Sequence, residues 1–399
     1  MSASDQVQAN PGLSARIGPA NSSPVRDILA VTERPEVISF AGGLPAPELI
    51  PGEMLSAAIH AACEPGRIAR SFQYSSSEGL PELRRALASR MRARGIDADD
   101  GTVIVTTGSQ QAIALAATAL LDPGDAVLVE SPSYLAALQC FQLAGARVIP
   151  VDCDEDGIDP ESLRSLAIEH KPKFVYCIPN FQNPTGRTLS PARRAQIALV
   201  AADEGLWLVE DDPYGDLRYE GARVAPLAAH PLAADRTIAI SSLSKILAPG
   251  LRIGWLHAPP AVLRPLMIAK QAADLHTSTV DQIIAAHCLA DPEFDRHVEL
   301  LCDEYRVRRD AMIAGLPLAL PAGSQFNRPS GGMFIWVRLP EGHDAAQLLP
   351  MALANDVAFV PGEYFHASQP DPRTMRLSFT THPAAEITEG LRRLSRVFA

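Results

Sequence analysis

Polar side chains that can do chemistry follow several short apolar runs of this 399-residue sequence. They are an alcohol and amide pair, an asparagine, an acid followed by a tyrosine, and a serine-rich loop with two basic residues. In chain order they are Ser109, Gln110, Asn183, Asp211, Tyr214, Ser242, Ser244, Lys245 and Arg252. In an open α/β sheet, ligands bind at the carboxyl ends of the strands. If each apolar run is a strand of one such sheet, these side chains are expected to meet.

Lys245 is the candidate nucleophile. It ends the loop 241–245, Ser-Ser-Leu-Ser-Lys, directly after the apolar run 237–240. Desolvation at a strand end lowers the pKa of a lysine and frees its amine for attack. A lysine taken alone is usually a solvated surface charge. Here, however, the serine hydroxyls and Arg252 beside it are natural partners of a phosphate group.

Two turns provide further ligand-binding groups. Residues 108–111, Gly-Ser-Gln-Gln, open a predicted helix. Backbone N–H groups at a helix N-terminus bind anions such as phosphate. The commoner alternative is that Ser109 simply caps the helix. Residues 183–186, Asn-Pro-Thr-Gly, indicate a turn, from which Asn183 can point its amide at a ligand.

Three consecutive acids, residues 210–212, follow the apolar run 206–209. Buried carboxylates are costly unless they are paired, so one aspartate is expected to pair with a cationic group of a ligand. Metal ligation is the alternative. No histidine is near in the sequence, and an oxygen-only site usually needs more carboxylates, so no metal site is predicted.

The elements that must position these groups are short apolar runs between helical patterns. Strands are predicted over residues 103–106, 126–129, 174–178, 206–209, 237–240 and 253–256, and helices over 110–121 and 191–204. This alternation is typical of an α/β fold with a mostly parallel sheet between helices. A second, smaller α+β domain is predicted from a helix over 296–314 that ends at Gly315, strands at 332–338, 357–360 and 375–378, and a helix from 385 onward.

Composition excludes several classes of function. The net charge is −11 and the pI is about 5.4, which argues against nucleic-acid or membrane binding because phosphates need basic partners. The six cysteines form no CxxC pair and are typical of reduced thiols in the cytoplasm. No signal peptide is expected in residues 1–11, and the longest mostly apolar run, residues 112–121, is too short to span a bilayer.

Taken together, these motifs resemble those of the fold-type I pyridoxal-phosphate enzymes, in the class I/II aminotransferase group. The resemblance extends from about Ser22 to the C-terminus, and it is closest to the 2-aminoadipate and kynurenine/aminoadipate aminotransferases. The segments that carry it are residues 39–45, 107–111, 183–186, 210–214, 242–245, 270–276 and 376–379. It implies a large pyridoxal-phosphate-binding domain over residues 51–298, a small domain over 299–399, and an N-terminal arm over 1–50 that also completes the small domain.

The resemblance implies a role for each site residue. Lys245 forms a Schiff base with pyridoxal 5′-phosphate and moves a proton at the substrate α-carbon. Asp211 keeps the ring nitrogen protonated, so that the ring accepts electrons from the carbanion. The other implied cofactor contacts are Asn183 and Tyr214 at the ring hydroxyl, Tyr134 on the ring face, Ser109, Gln110, Ser242 and Arg252 at the phosphate, and Ser244 beside them.

Substrate contacts follow from the same resemblance. Arg376 is expected to bind the α-carboxylate bidentately, with Asn183 and Gly43 beside it. Arg26 is expected to meet a distal carboxylate, although it could equally be a solvated helix charge. The implied reaction is ping-pong transfer of an amino group from 2-aminoadipate, glutamate or a large apolar or aromatic amino acid to a 2-oxo acid such as 2-oxoglutarate. Tyr74 is expected to reach the phosphate of a neighbouring subunit, which implies a homodimer with shared sites.

Two other functions remain open from the sequence. The same cofactor residues serve lyases and decarboxylases, because a fold does not fix a reaction. Aminotransferase-like domains also occur as sensors in transcription regulators, fused to a winged-helix module that would need a basic N-terminal segment. Only about two dozen residues precede the aminotransferase-like part here, so an enzyme is the preferred interpretation.

Overall fold

A seven-stranded sheet lies at the centre of the structure, a computed structural model that describes Ser14, Ile17, Ile28 and residues 34–398. Only Ile253–His257 is antiparallel to its neighbours. Across the sheet the strands lie in the order Val103–Thr107, Ile253–His257, Thr237–Ser242, Trp207–Asp211, Phe174–Cys177, Ala126–Glu130 and Arg147–Val151. The predicted α/β fold with a mostly parallel sheet is confirmed.

The inner strands are apolar along most of their length because both of their faces are buried. Arg147–Val151, which the sequence did not predict as a strand, is an edge strand that is mostly only partly buried. The two predicted helices are confirmed as Ser109–Leu120 and Pro191–Glu204. Other helices of this part of the chain are Gly52–Ala62, Ile68–Ser71, Pro81–Ala93, Leu135–Leu143, Pro160–His170, Pro260–Asp274 and Thr279–Ala290.

A second, four-stranded antiparallel sheet follows in the C-terminal third of the chain. Its strands are Gln325–Phe326, Phe334–Arg338, Thr374–Ser378 and Val360–Pro361, in spatial order. The helices of this part are Phe294–Ala319, Ala345–Ala354 and Ala384–Ser395. The short strand Ile38–Ser39 pairs in parallel with Val357–Ala358, so it joins the N-terminal segment to this region. The division at residues 50 and 298 stays a prediction.

Gly315 does not end a helix, and that prediction is wrong. The helix Phe294–Ala319 continues past it, and Gly315 instead allows a close approach to the C-terminal helix Ala384–Ser395. A Cβ atom at Gly315 would lie 2.5 Å from Leu391 Cδ1. Glycine is therefore present because two helices touch there. Within residues 34–398, no helix has both the length and the apolar character that are needed to cross a membrane.

Candidate active site

Lys245 lies where the strand Thr237–Ser242 ends, in the short 3₁₀ turn Leu243–Lys245. Its Nζ atom donates a hydrogen bond to the Gly43 carbonyl oxygen at 2.7 Å. Burial, with the nearby charges of Arg376 and Arg252, lowers the pKa of Lys245 to about 8. The amine is therefore deprotonated far more readily than a surface lysine, as a nucleophile or proton carrier requires.

The three acids of residues 210–212 are all buried, and each has a different partner. The Glu210 carboxylate accepts the backbone N–H groups of residues 227 and 228 at 2.8 and 3.0 Å. Asp212 forms an ion pair with Arg94 and accepts a hydrogen bond from Asn180 at 2.9 Å. No group of three or more metal-ligating side chains was found among the described residues. Glu210 and Asp212 are thus held by groups of the protein itself.

Asp211 differs from its neighbours because neither a cation nor a backbone N–H group of the described residues pairs with its carboxylate. Its Oδ2 atom accepts the Tyr176 hydroxyl at 2.7 Å, while its buried Oδ1 atom has no hydrogen-bond partner within the described part of the chain. Burial raises the pKa of Asp211 to about 7. A cationic group placed against Oδ1 would satisfy the carboxylate and restore its ionised form.

Arg376 lies in the strand Thr374–Ser378, with its guanidinium between the rings of Phe334 and Phe365 at 4.3 and 4.9 Å. It donates to Asn183 Oδ1 at 2.7 Å and to the Ala41 carbonyl oxygen at 2.6 Å. Burial lowers its pKa to about 10. No carboxylate pairs with it in the described residues, and its Nε atom has no partner there, so the site is suited to a carboxylate ligand.

Tyr214 is buried beside Asn183, with its ring edge-on to Phe334 at 5.8 Å. Burial raises the pKa of its hydroxyl, and a hydrogen bond with Asn183 acts in the opposite direction. Asn183 therefore connects two of the predicted site residues, since it contacts both Tyr214 and Arg376.

The predicted anion site lies at the start of the helix Ser109–Leu120. Gly108, and not Ser109, is the N-cap residue, and no side chain of the described chain caps the first turn. The capping alternative for Ser109 is therefore wrong. Gly108 has a φ of 77°, and a Cβ atom there would lie 2.5 Å from Arg252 Nη2. The N–H groups of this first turn, together with the neighbouring Arg252 guanidinium, form an arrangement that can bind a phosphate.

The other predicted phosphate contacts are used partly inside the protein. The Ser242 hydroxyl accepts the Ser244 N–H at 3.1 Å and lies 3.0 Å from the Ile253 carbonyl oxygen, so it stabilises the turn that carries Lys245. The Gln110 amide donates to Ala136 O at 3.3 Å. It also lies 3.4 Å from the Tyr134 hydroxyl. Burial raises the pKa of Tyr134 to about 12, with the charge of Asp211 acting in the same direction.

The remaining predicted site residues are Gly43, Tyr74 and Arg26. Gly43 contacts Lys245 through its carbonyl, and a Cβ atom there would lie 2.7 Å from the Phe334 ring. Tyr74 is 79% exposed and packs edge-on against His276 at 5.6 Å, at the surface of this chain. Arg26 lies outside the residues that the structure describes.

The sequence interpretation missed the residues that support this site. Tyr176 and Phe334 were assigned only to strands, and Phe365 was assigned to no element. Lys270 was noted as part of a motif, without a role. Only the pairing register of the strands could have placed Tyr176 beside Asp211, because the two residues are 35 positions apart.

The free groups of the site match a phosphorylated pyridine aldehyde. Asp211 Oδ1 can pair with a protonated ring nitrogen, Lys245 can bind an aldehyde carbon, and the uncapped helix start below Arg252 can bind a phosphate. Fold and site together define a pyridoxal-phosphate-dependent enzyme of fold type I.

Comparison with known proteins identifies the family. Residues 49–394 match the family model described as aminotransferase class I and II, and the chain belongs to that family. It is 42% identical over 380 residues to aromatic-amino-acid aminotransferase 1 of Thermococcus litoralis, covering 94% of this chain and 91% of the relative. It is 41% identical over 383 residues to 2-aminoadipate transaminase of Thermus thermophilus, covering 95% and 94%.

A solved structure gives the same result. The α-aminoadipate aminotransferase of Thermus thermophilus, complexed with N-(5′-phosphopyridoxyl)-L-leucine, superposes with a TM-score of 0.89 at 38% identity and 96% coverage of both chains. The protein is thus an aminotransferase whose cofactor is pyridoxal 5′-phosphate, as the sequence predicts.

Proposed function

We propose that this enzyme transfers the amino group of 2-aminoadipate, glutamate, or a large apolar or aromatic amino acid to a 2-oxo acid such as 2-oxoglutarate. One observation carries the catalytic part of the proposal. The Ala41 and Gly43 carbonyls bind Arg376 and Lys245 respectively, so a single short loop holds the carboxylate-binding cation and the amine side by side. An α-amino acid bound to Arg376 through its carboxylate would present its α-carbon close to Lys245.

Each residue of the site has a separate role in the proposed amino-group transfer. When it is bound, pyridoxal phosphate supplies the aldehyde that captures amino groups and the ring that accepts electrons from the α-carbon. Lys245 Nζ takes up and returns the α-proton, which its lowered pKa allows near neutral pH. Asp211 Oδ1 holds the proton of the ring nitrogen, and Asn183 and Tyr214 hold the ring hydroxyl.

Phosphate binding is assigned to the helix start and to Arg252. Ser109 and Gln110 contribute the N–H groups of the first helical turn, while Ser242 and Ser244 stabilise the adjacent turn. Tyr134 covers the ring face. The combination of N–H groups, helix dipole and guanidinium supports this assignment, because each of them stabilises a dianion.

The substrate class rests on the names of the relatives and on Arg26. One relative is named for aromatic amino acids, and another for 2-aminoadipate. We propose that Arg26 binds the distal carboxylate of dicarboxylic donors, with apolar donors sharing the same pocket. The exposed apolar side chains of Leu44 and Leu275 support room for such donors.

A panel of donors tests the substrate class. Purified holoenzyme with 2-oxoglutarate is given L-2-aminoadipate, L-leucine, L-phenylalanine or L-kynurenine separately, and the glutamate formed is measured. We expect turnover with 2-aminoadipate and with at least one apolar or aromatic donor. Arg26→Ala should reduce kcat/KM for 2-aminoadipate and leave leucine nearly unchanged. Equal losses for both donors would show that Arg26 does not bind the distal carboxylate.

We also propose a cytoplasmic homodimer with shared active sites. The six cysteines are all free thiols, which supports a reducing compartment. Apolar side chains near Tyr74 are exposed, including Ile68 and Phe72, the latter at 66%. A second copy of the chain that covers this face would bring its Tyr74 to the neighbouring site.

A further inference from the structure

The two oxygens of Asp211 have different environments because only one of them has a hydrogen-bond partner in the described residues. The Tyr176 hydroxyl donates to Oδ2 at 2.7 Å, while Oδ1 is buried with no partner within residues 34–398. The carboxylate is therefore held at one corner and left free at the other. Tyr176, which holds it, is not one of the residues proposed to contact the cofactor.

The strand register explains why Tyr176 meets Asp211. Tyr176 lies in Phe174–Cys177 and is paired in parallel with Val209 of the adjacent strand. Side chains two residues apart point to the same face of a sheet, so Val209, Asp211 and Tyr176 share one face. Tyr176 is thus the diagonal neighbour of Asp211, at a separation that a long aromatic side chain spans.

Packing restricts the tyrosine to this position. Tyr176 is fully buried, and its ring lies edge-on to Phe141 with 5.6 Å between the ring centroids. Phe141 belongs to the helix Leu135–Leu143, which starts directly after Tyr134. The hydroxyl therefore has little freedom to leave the carboxylate, and its burial raises the pKa of Tyr176 well above the usual value.

We propose that Tyr176 is a positioning residue that keeps Asp211 ionised and aims Oδ1 at the ring nitrogen of the cofactor. The inference rests on the proposed role of Asp211 toward that nitrogen. A donated hydrogen bond stabilises the carboxylate over the carboxylic acid. Asp211 needs this help because burial and the charge of Asp212 both favour its protonated form. Without the Tyr176 hydroxyl, the shared proton moves from the ring nitrogen toward Oδ1.

The test measures that proton directly. Wild-type and Tyr176→Phe holoenzymes are reconstituted with pyridoxal phosphate labelled with ¹⁵N in the ring, and the ¹⁵N chemical shift is recorded at one pH. We expect the Tyr176→Phe signal to move toward that of the unprotonated ring, with a fall in kcat of roughly tenfold. Tyr219→Phe is the matched control, since that buried hydroxyl donates to the Gly332 carbonyl instead. Its signal should match that of the wild type.

A second variant covers the case in which Tyr176→Phe does not fold. A fluorinated tyrosine at position 176 keeps the ring and has a more acidic, stronger hydrogen-bond donor. It should move the ¹⁵N signal toward the fully protonated form. If neither this variant nor Tyr176→Phe moves the signal, Tyr176 only fills space and the inference is wrong.

Asp211→Asn separates this inference from the function on which it rests. If Asp211→Asn shifts the ¹⁵N signal and the Tyr176 variants do not, Asp211 keeps its role and Tyr176 loses the proposed one. If Asp211→Asn leaves the signal unchanged, the carboxylate does not hold the ring proton. The proposed role of Asp211 and the inference about Tyr176 would then both be wrong.

Discussion

The surroundings of Lys245 lower the pKa of its amine. The reactivity of this amine should therefore depend measurably on pH. Burial and the charges of Arg376 and Arg252 lower its pKa to about 8. Only the neutral amine attacks an aldehyde, so at lower pH the reactive fraction falls about tenfold per unit.

We expect the rate of covalent incorporation of pyridoxal phosphate into cofactor-free enzyme to rise up to about pH 8 and then level off. The absorbance change on mixing measures it. Lys245→Ala is the control, because its non-covalent binding of the cofactor should lack this rise. A rate that keeps rising to about pH 10, the range of an ordinary lysine, would show an unperturbed amine.

The contacts of Arg376 predict how a lysine at this position would affect KM for the amino donor. Two of its hydrogen bonds are to Asn183 and Ala41, and two aromatic rings enclose the guanidinium. Lysine keeps the charge but cannot make the planar, bidentate contact with a carboxylate. We expect Arg376→Lys to raise KM for the amino donor on the order of a hundredfold, which is about 3 kcal/mol. Steady-state kinetics checks this. An unchanged KM would show that the carboxylate binds elsewhere.

At the residue scale, the sequence indicated the candidate ligand-binding groups but not the groups that support them. Lys245 and Asn183 lie in short motifs whose turn geometry and chemistry are local. Tyr176 and the rings around Arg376 come from distant segments, and their contacts depend on strand register and on how the second sheet packs. No local pattern contains that information.

Among the elements, the segment at the end of the helix Pro260–Asp274 supports the proposed phosphate site. Lys270 is fully buried, and its Nζ atom donates to Gln111 at 2.7 Å, Asp274 at 2.8 Å and Thr277 at 2.9 Å. Gln111 in turn accepts the Thr107 N–H at 2.8 Å, directly before Gly108. The ammonium thereby stabilises the turn that precedes the helix Ser109–Leu120, where phosphate binding is proposed.

Removal of this ammonium should therefore weaken phosphate binding selectively. We expect Lys270→Met to raise the Kd of pyridoxal phosphate roughly tenfold while it changes the Kd of pyridoxal, which lacks the phosphate, much less. Equilibrium dialysis of the cofactor-free enzyme measures both. Lys173→Met, which removes the partly exposed ion pair with Asp125, is the control. Equal weakening for both ligands would mean that Lys270 stabilises only the fold.

The elements themselves were predictable where their pattern is simple. Inner strands such as Thr237–Ser242 contain a short apolar run, here residues 238–240, because both faces are covered. The edge strand Arg147–Val151 was missed because it is mostly only partly buried and contains Pro150, which is tolerated at a sheet edge. Gly315 was misread because a helix-ending glycine and a glycine at a helix–helix contact look alike in sequence.

For the whole molecule, the exposed Tyr74 leads to a prediction about assembly. We expect a solution mass of twice the 42.7 kDa chain mass by light scattering. Lys245→Ala and Tyr74→Ala subunits, each impaired alone, should form mixed dimers. One of the two sites in such a dimer then has both Lys245 and the partner's Tyr74.

Activity of the co-expressed pair above that of either parent would support shared sites. If activity never exceeds the average of the two parent dimers, Tyr74 does not act across the interface. Co-expression of each mutant with itself, at the same level, is the control.

The most direct test of the central claim is a half-reaction of the purified holoenzyme. One amino donor, L-2-aminoadipate or L-phenylalanine, is added without a 2-oxo acid, and the cofactor spectrum and the released oxo acid are measured. We expect conversion of the cofactor to its amine form, one equivalent of oxo acid per active site, and recovery of the original spectrum with 2-oxoglutarate. Lys245→Ala should be slower by orders of magnitude. A cofactor spectrum that no donor converts, or full activity of Lys245→Ala, would contradict the claim that Lys245 carries out amino-group transfer in this protein.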